Sequence, residues 1–178
     1  MTREAVRNLL TTGVGVGHWV LDSGASTIHI SHRTMWGMGT VRGSFNFLGG
    51  EGSVETGGRV SGELRIDATS IETSNKKRDA DLRSAAFFDV EKYPEIIVRI
   101  ASAGFKGDDV QLQAELEVKG IRESLPCTGQ VNMASNGTVA VTVVATVDRE
   151  RFGMTVNKMG MIKGLATATV TAIFVRNG

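Results

Sequence analysis

The chain predicts an all-β fold, an antiparallel barrel of many strands joined by short turns. Three observations carry that reading. Two long segments alternate strictly between apolar and polar residues, glycine is abundant where proline is rare (22 against 2 in 178 residues), and glycine-containing turn pairs recur between the apolar runs. Strict period two marks a strand with one buried face, and tight turns between such strands favour a sheet over a helical bundle. Consecutive strands with one apolar face each would leave exposed edges, which closure into a barrel removes.

Residues 1–17, MTREAVRNLLTTGVGVG, read as an N-terminal extension to a single domain over 18–178. The first ten residues suit either a short amphipathic helix with Val6, Leu9 and Leu10 on one side or a frayed terminus. Strands are expected over His18–Asp22, Ser26–His32, Thr40–Phe47 and Gly52–Thr56, with Gly49-Gly50 and Gly57-Gly58 as turns. From Arg59 to Thr69 the alternation is cleanest: Val60, Gly62, Leu64, Ile66 and Ala68 share one face and charged or polar residues the other.

The charged stretch Ser70–Pro94 then interrupts the strands. Lys76–Ala86 reads as a short helix capped by Ser74 or Asn75, with Leu82, Ala85 and Ala86 toward the barrel, and Phe87-Phe88 brings the chain back to the sheet. A strand over Ile96–Ala103 follows, and Gly107-Asp108 turns it. Asp109–Lys119 repeats the alternation, with Val110, Leu112, Ala114, Leu116 and Val118 inward. Further strands are expected over Glu123–Met133, Thr138–Arg149 and Lys163–Val175, and Asn136-Gly137 predicts a type I′ hairpin.

Composition excludes some functions. Twenty Lys and Arg against nineteen Asp and Glu give a net charge of +1, which is no nucleic-acid footprint. Cys127 is the only cysteine, so no intramolecular disulfide forms, and its neighbours Pro126 and Thr128 supply no base; it reads as a structural thiol. No apolar run reaches the length of a membrane helix or a signal-peptide core, so a cytoplasmic protein without a membrane span is expected. There is no G-x-S-x-G motif, and the glycines at 13, 15 and 17 miss dinucleotide spacing, so no catalytic constellation is expected. Nor is a metal: His29 and His32 point to opposite faces of their strand, and no carboxylate or cysteine completes a site with His18.

The ordered set Ser70, Ile71, Thr73, Arg78, Asp79, Leu82, Arg83, Phe87, Phe88, Asp89, Val90 and Pro94 resembles the YceI-like family of lipocalin-like barrels. Trp19-Val-Leu-Asp22 with Ser26, then His32 with Val41, Gly43 and Phe45, then Leu116, Gly120 and Ile121, then Arg149, Phe152 and Gly153 agree with it, so the resemblance runs from Trp19 to about Val175. It implies an extended eight-stranded antiparallel lipocalin-like barrel with a short helix after the Ser70 strand. It also implies an amphiphilic isoprenoid ligand, a polyprenyl phosphate or an isoprenoid quinone, and no other cofactor.

On that reading Ile28, Ile30, Phe45, Phe47, Leu64, Ile66, Phe87, Phe88, Val98, Ile100, Leu112, Leu116 and Phe152 are expected to line a hydrophobic tunnel. His32 shares the inward parity of Ile28 and Ile30, where it either bonds to backbone or reaches a ligand head. Met154 belongs with Met159 and Met161, as Met35 does with Met38, to methionine-rich turns able to mould to an apolar ligand. Arg83 or Arg78 could attract an anionic head, unless Arg83 pairs with Asp79 on the same helix. The small inward residues Gly43, Gly62, Ala68, Ala114 and Gly129 leave open whether the barrel is hollow or packed. A packed interaction module and an enzyme acting on a hydrophobic substrate are the rival readings, and a homodimer is compatible with either edge or methionine contacts.

Overall fold

Ten strand segments form one closed antiparallel barrel in the computed structural model, which describes residues 8, 13–33, 39–155 and 164–178. They are β1 (Gly17–Leu21), β2 (Thr27–Arg33), β3 (Thr40–Val54), β4 (Val60–Glu72), β5 (Glu95–Lys106), β6 (Asp109–Val118), β7 (Ile121–Ser124), β8 (Cys127–Met133), β9 (Val139–Asp148) and β10 (Leu165–Arg176). Apart from β1–β2 and β7–β8, sequential neighbours pair, and β10 closes the ring by pairing β9 on one side and β2 on the other. The methionine-rich turn at 34–38, Met159, Met161 and most of the first twelve residues lie outside the described residues.

Ten segments fill eight positions because two strands are broken. β1 and β2 lie in line between β3 and β10, so they share one position. The break is organised: Asp22 N donates to the Ile173 carbonyl, and Ser26 Oγ accepts from Ile173 N at 2.9 Å, so the skipped residue of β10 keeps both backbone partners. β7 and β8 likewise follow one another along β6, parted at Leu125-Pro126. Proline has no N–H to give the ladder, so the expected single strand over Glu123–Met133 divides there.

Gly49-Gly50 is not a turn; the two expected strands around it are one fifteen-residue strand, β3. Phe47 pairs with Ile66 and Gly49 with Arg65, which leaves Leu48 as an extra residue bulged outward and 49% exposed. The bulge keeps both halves of β3 facing inward despite the odd residue. A Cβ at 50 would stand 2.6 Å from Leu64 Cδ2 and 3.1 Å from the Glu63 carbonyl, so glycine lets β3 and β4 approach closely there. A further irregularity, between Ile100 and Ser102, does the same for β5.

The β8–β9 hairpin also departs from expectation. Gly137 has φ +84° but Asn136 does not have a positive φ, so the turn is not type I′. Gly137 N bonds to the Ala134 carbonyl and Ala134 N to Thr138 O, the three-residue loop in which a turn is followed by a left-handed glycine. Both residues of the Lys119-Gly120 turn do have positive φ, and Val118 pairs with Ile121 across it.

The helix spans Lys76–Arg83, with Asn75 Oδ1 accepting from Arg78 N as its cap. It ends three residues before Ala86 because Ser84 turns to extended backbone and Asp81 O takes the Ser84 N–H; Ala85 is exposed rather than packed. Leu82 reaches the main core with Ile71, Phe87, Phe152 and Met154, and a smaller cluster around Trp19 and Val139 packs at the opposite end of the barrel.

Candidate functional site

The barrel is hollow. An interior tunnel of about 340 Å³ runs between the two core clusters, lined by residues from all eight strand positions. Interiors packed to ordinary density leave few voids larger than a water molecule, so a cavity of this size separates the molecule from a packed barrel. Burial tells the same story: Val98, Ile100, Leu112, Val141, Val143, Ala168 and Val170 point inward yet are only half-buried. Their exposed surface faces the tunnel.

All but three of the expected site residues line this tunnel: Ile28, Ile30, Phe45, Phe47, Leu64, Ile66, Phe88, Val98, Ile100, Leu112, Leu116, Phe152 and Met154. The helix end of the barrel is closed by aromatic packing, Phe88 meeting Phe45 edge-on at 5.4 Å between ring centroids, with Phe87 only 2% exposed behind them. Phe87 and His32 border a second, smaller cavity of about 80 Å³ under the helix rather than the tunnel. His32 Nδ1 lies 2.7 Å from the Arg33 carbonyl, and its Nε2 is buried with no hydrogen-bond partner among the described residues.

Arg83 borders neither cavity. Its Nε donates to Thr69 O at 2.8 Å and its Nη2 to Ile71 O at 2.7 Å, two carbonyls of the part of β4 that runs past its pairing with β5. It does not pair with Asp79 either; that buried carboxylate accepts from Thr73 N at 2.9 Å and Thr73 Oγ1 at 2.6 Å. Arg78 completes the set, its Nε on Thr73 Oγ1 and its Nη2 on Thr73 O, both at 2.8 Å. The charged motif therefore staples the helix to the end of β4 through backbone carbonyls. It fixes the helix over that end of the barrel.

Two features of the site escaped sequence reasoning. One is the β9–β10 wall, where Val141, Val143, Ala145, Ala166, Ala168 and Ala172 line the tunnel. Period two along both strands was the signal available for it. The other is Arg149, 8% exposed, which follows β9 and lines both cavities. Its Nη1 donates to Met154 O at 2.9 Å, and Gly164 O accepts from its backbone N. A charged residue in a loop motif gives no hint of burial until the chain is folded. Cys127 also lines the tunnel, and desolvation pushes its thiol pKa up, away from reactive-cysteine chemistry.

The comparisons with known proteins agree with this architecture. The YceI-like domain model matches residues 19–174. Protein YceI of Escherichia coli O17:K52:H18 is 32% identical over 74 residues, and that of Shigella flexneri 31% over 74, in each case 42% of this chain and 38% of the relative. The match thus spans well under half the length of these curated relatives. BcnA of Burkholderia cenocepacia superposes with a TM-score of 0.76 at 16% identity, covering 86% of this chain and 98% of BcnA. A polyisoprenoid binding domain from Saccharophagus degradans, implicated in plant cell wall breakdown, superposes with a TM-score of 0.72 at 16% identity, covering 89% and 98%. At such identities the likeness is one of fold.

Proposed function

Because the chain belongs to the YceI-like family, we propose that its tunnel binds an amphiphilic isoprenoid lipid, a polyprenyl phosphate or an isoprenoid quinone, and holds it for sequestration or transport. The observation that carries this reading is the tunnel itself: a cavity of about 340 Å³ walled by aliphatic and aromatic side chains through the length of the barrel. Apolar burial at roughly 25 cal/mol per Å² is non-directional, so such a wall selects a ligand by length and bulk more than by polar contacts. The polyisoprenoid binding domain of similar fold supports the choice of an isoprenoid over other apolar chains.

The test is organic extraction of the purified protein followed by mass spectrometry, with thermal melting in the presence of added prenyl lipids. An isoprenoid in the extract, or a raised Tm on adding one, is the expected result. An empty extract together with an unmoved Tm would overturn the proposal.

A further inference from the structure

We propose that lipid enters and leaves the tunnel sideways, through a seam between β7 and β9 that the short 3₁₀ turn Arg149–Phe152 plugs and the Arg151–Glu123 ion pair fastens. This inference rests on the tunnel being a lipid site and adds to it the route of exchange and the contact that controls it. A side route is called for because both ends of the tunnel are packed, one by Phe45, Phe87 and Phe88 and the other by Trp19 and Val139.

The two broken strand positions of the barrel differ. Where β1 gives way to β2, both segments pair with β3 and with β10, so that break is sealed on each side. Where β7 gives way to β8, only β8 has a partner on each side. Its ladder with β9 begins at Thr128 opposite Val144, whereas β7 pairs with β6 alone. Residues 145–148 of β9 therefore have β10 along one side and no paired strand along the other.

Exposure marks the same gap. Ile121 and Glu123 stand opposite Val118 and Leu116, two buried wall residues, and residues paired across antiparallel strands share a face. Yet Ile121 is 38% exposed and Glu123 is half-buried with its carboxylate on Arg151, so the inner face of β7 meets water where that of β6 does not. Behind the seam lie Leu125, Ala145, Val147 and Phe152, all of them tunnel wall. Beside it Val144 and Leu165 are exposed on β9 and β10, an apolar border for an arriving chain. The plug is fastened lightly: Phe152 is buried in the core, but Arg151 on the same turn reaches Glu123 from an exposed position. Such a pair adds little to folding, which suits a contact that breaks and re-forms at each exchange.

The experiment follows radiolabelled geranylgeraniol passing in both directions between phosphatidylcholine vesicles and the full chain, with circular dichroism on every variant. Arg151→Gln should speed uptake and release alike, roughly two- to fivefold, the scale of one exposed ion pair. Affinity should not change, because the contact is present in the empty and the loaded protein and breaks only while lipid passes. Glu123→Arg should act in the same direction and more strongly, and combining it with Arg151→Glu should restore the wild-type rates. A bifunctional maleimide joining the thiols of Glu123→Cys and Arg151→Cys, in a Cys127→Ala chain, should trap lipid already loaded and bar it from the empty protein. Exchange rates that ignore both the ion-pair variants and the cross-link would overturn the proposal. So would faster exchange from Arg83→Gln, which loosens the helix, with none from Arg151→Gln. An affinity that shifts in Arg151→Gln while only one rate moves would make the pair part of the ligand wall and overturn it too. If wild type takes up no geranylgeraniol at equilibrium, the tunnel reading itself fails, and the seam with it.

Discussion

The two walls of the tunnel are built on opposite plans. On the β2–β4 side the inward residues include Ile28, Ile30, Phe45, Phe47, Leu64 and Ile66, with Gly52 and Gly62 toward the Trp19 end; on the β9–β10 side most are valines and the alanines 145, 166, 168 and 172, with Phe174 packed at Trp19. Both sides close into the same ring with continuous ladders, so backbone geometry does not explain the cavity. The missing volume is on the small wall. Bulky residues on one group of strands supply the core that holds the barrel, and small ones on the adjoining strands leave the room, so stability and capacity are assigned to different strands.

The largest effect should come from breaking the bulky wall. Phe45 is 7% exposed and packs edge-on against Phe88. Phe45→Ala removes that contact and enlarges an existing void, so it should cost about 3–5 kcal/mol of stability, seen as an earlier midpoint in denaturant with little change in m-value. Lipid binding by the fraction still folded should survive.

Filling the small wall should do the reverse. Ala168 pairs with Ile30 on one side and Ala145 on the other, and all three line the tunnel. Ala168→Phe places a ring in empty space, so stability should hold or rise by up to about 1 kcal/mol, as cavity-filling changes do. Affinity for a long isoprenoid should fall about a hundredfold, worth roughly 2.7 kcal/mol, while a shorter chain should lose less. Isothermal titration with lipids of graded length measures this; equal losses at every length would show that the ring distorts the barrel instead of blocking it.

The unequal walls also mark how far the sequence can be read. The strands β4 and β6 were legible because each has one strictly alternating apolar face, and the staple was legible as a motif, though its arginines serve backbone carbonyls. Hollowness was not, because it depends on how the small residues of β9 and β10 combine with the bulky ones of β2 to β4 in one closed ring, where Ala168 stands beside Ile30 although the sequence holds them far apart. Local chemistry misled at Gly49-Gly50, where a pair that ordinarily turns a chain instead lets two strands approach closely beside a bulge. Arg149 needed the closed ring before its burial had any meaning.

Cys127 gives a probe of the cavity at smaller amplitude. It pairs with Leu112, lines the tunnel, and has a thiol pKa raised by desolvation, so at neutral pH it holds less thiolate than a free cysteine. Its alkylation by iodoacetamide should be slow, faster after the protein is stripped of lipid, and slowed again on reloading. A rate indifferent to lipid content would place the tail elsewhere than beside β8.

The smallest effect belongs to the outer surface, where the barrel wall behind Leu116 carries charge. Arg99 bonds Glu117 at 2.7 Å and lies 3.3 Å from Glu63 and 3.6 Å from Glu115, while Arg122 bonds Glu117 at 3.0 Å. The hydrogen bond from Arg99, aided by the charge of Arg122 and opposed by desolvation, holds the Glu117 carboxyl below its ordinary value of 4.5. A folded pKa below the unfolded one contributes stability at pH above the ordinary carboxylate range, and that contribution is lost as pH falls through the folded value. Glu117→Gln should therefore lower Tm slightly at neutral pH and flatten its decline in acid, and added salt should shrink the difference between the two proteins. A Tm–pH curve with the wild-type acid slope in Glu117→Gln would assign that slope to other carboxylates, Glu95 with Arg65 first among them, since its pKa is lowered by the same kind of bond. Either outcome leaves the tunnel untouched, because this ladder lies on the face of the sheet that the lipid does not meet.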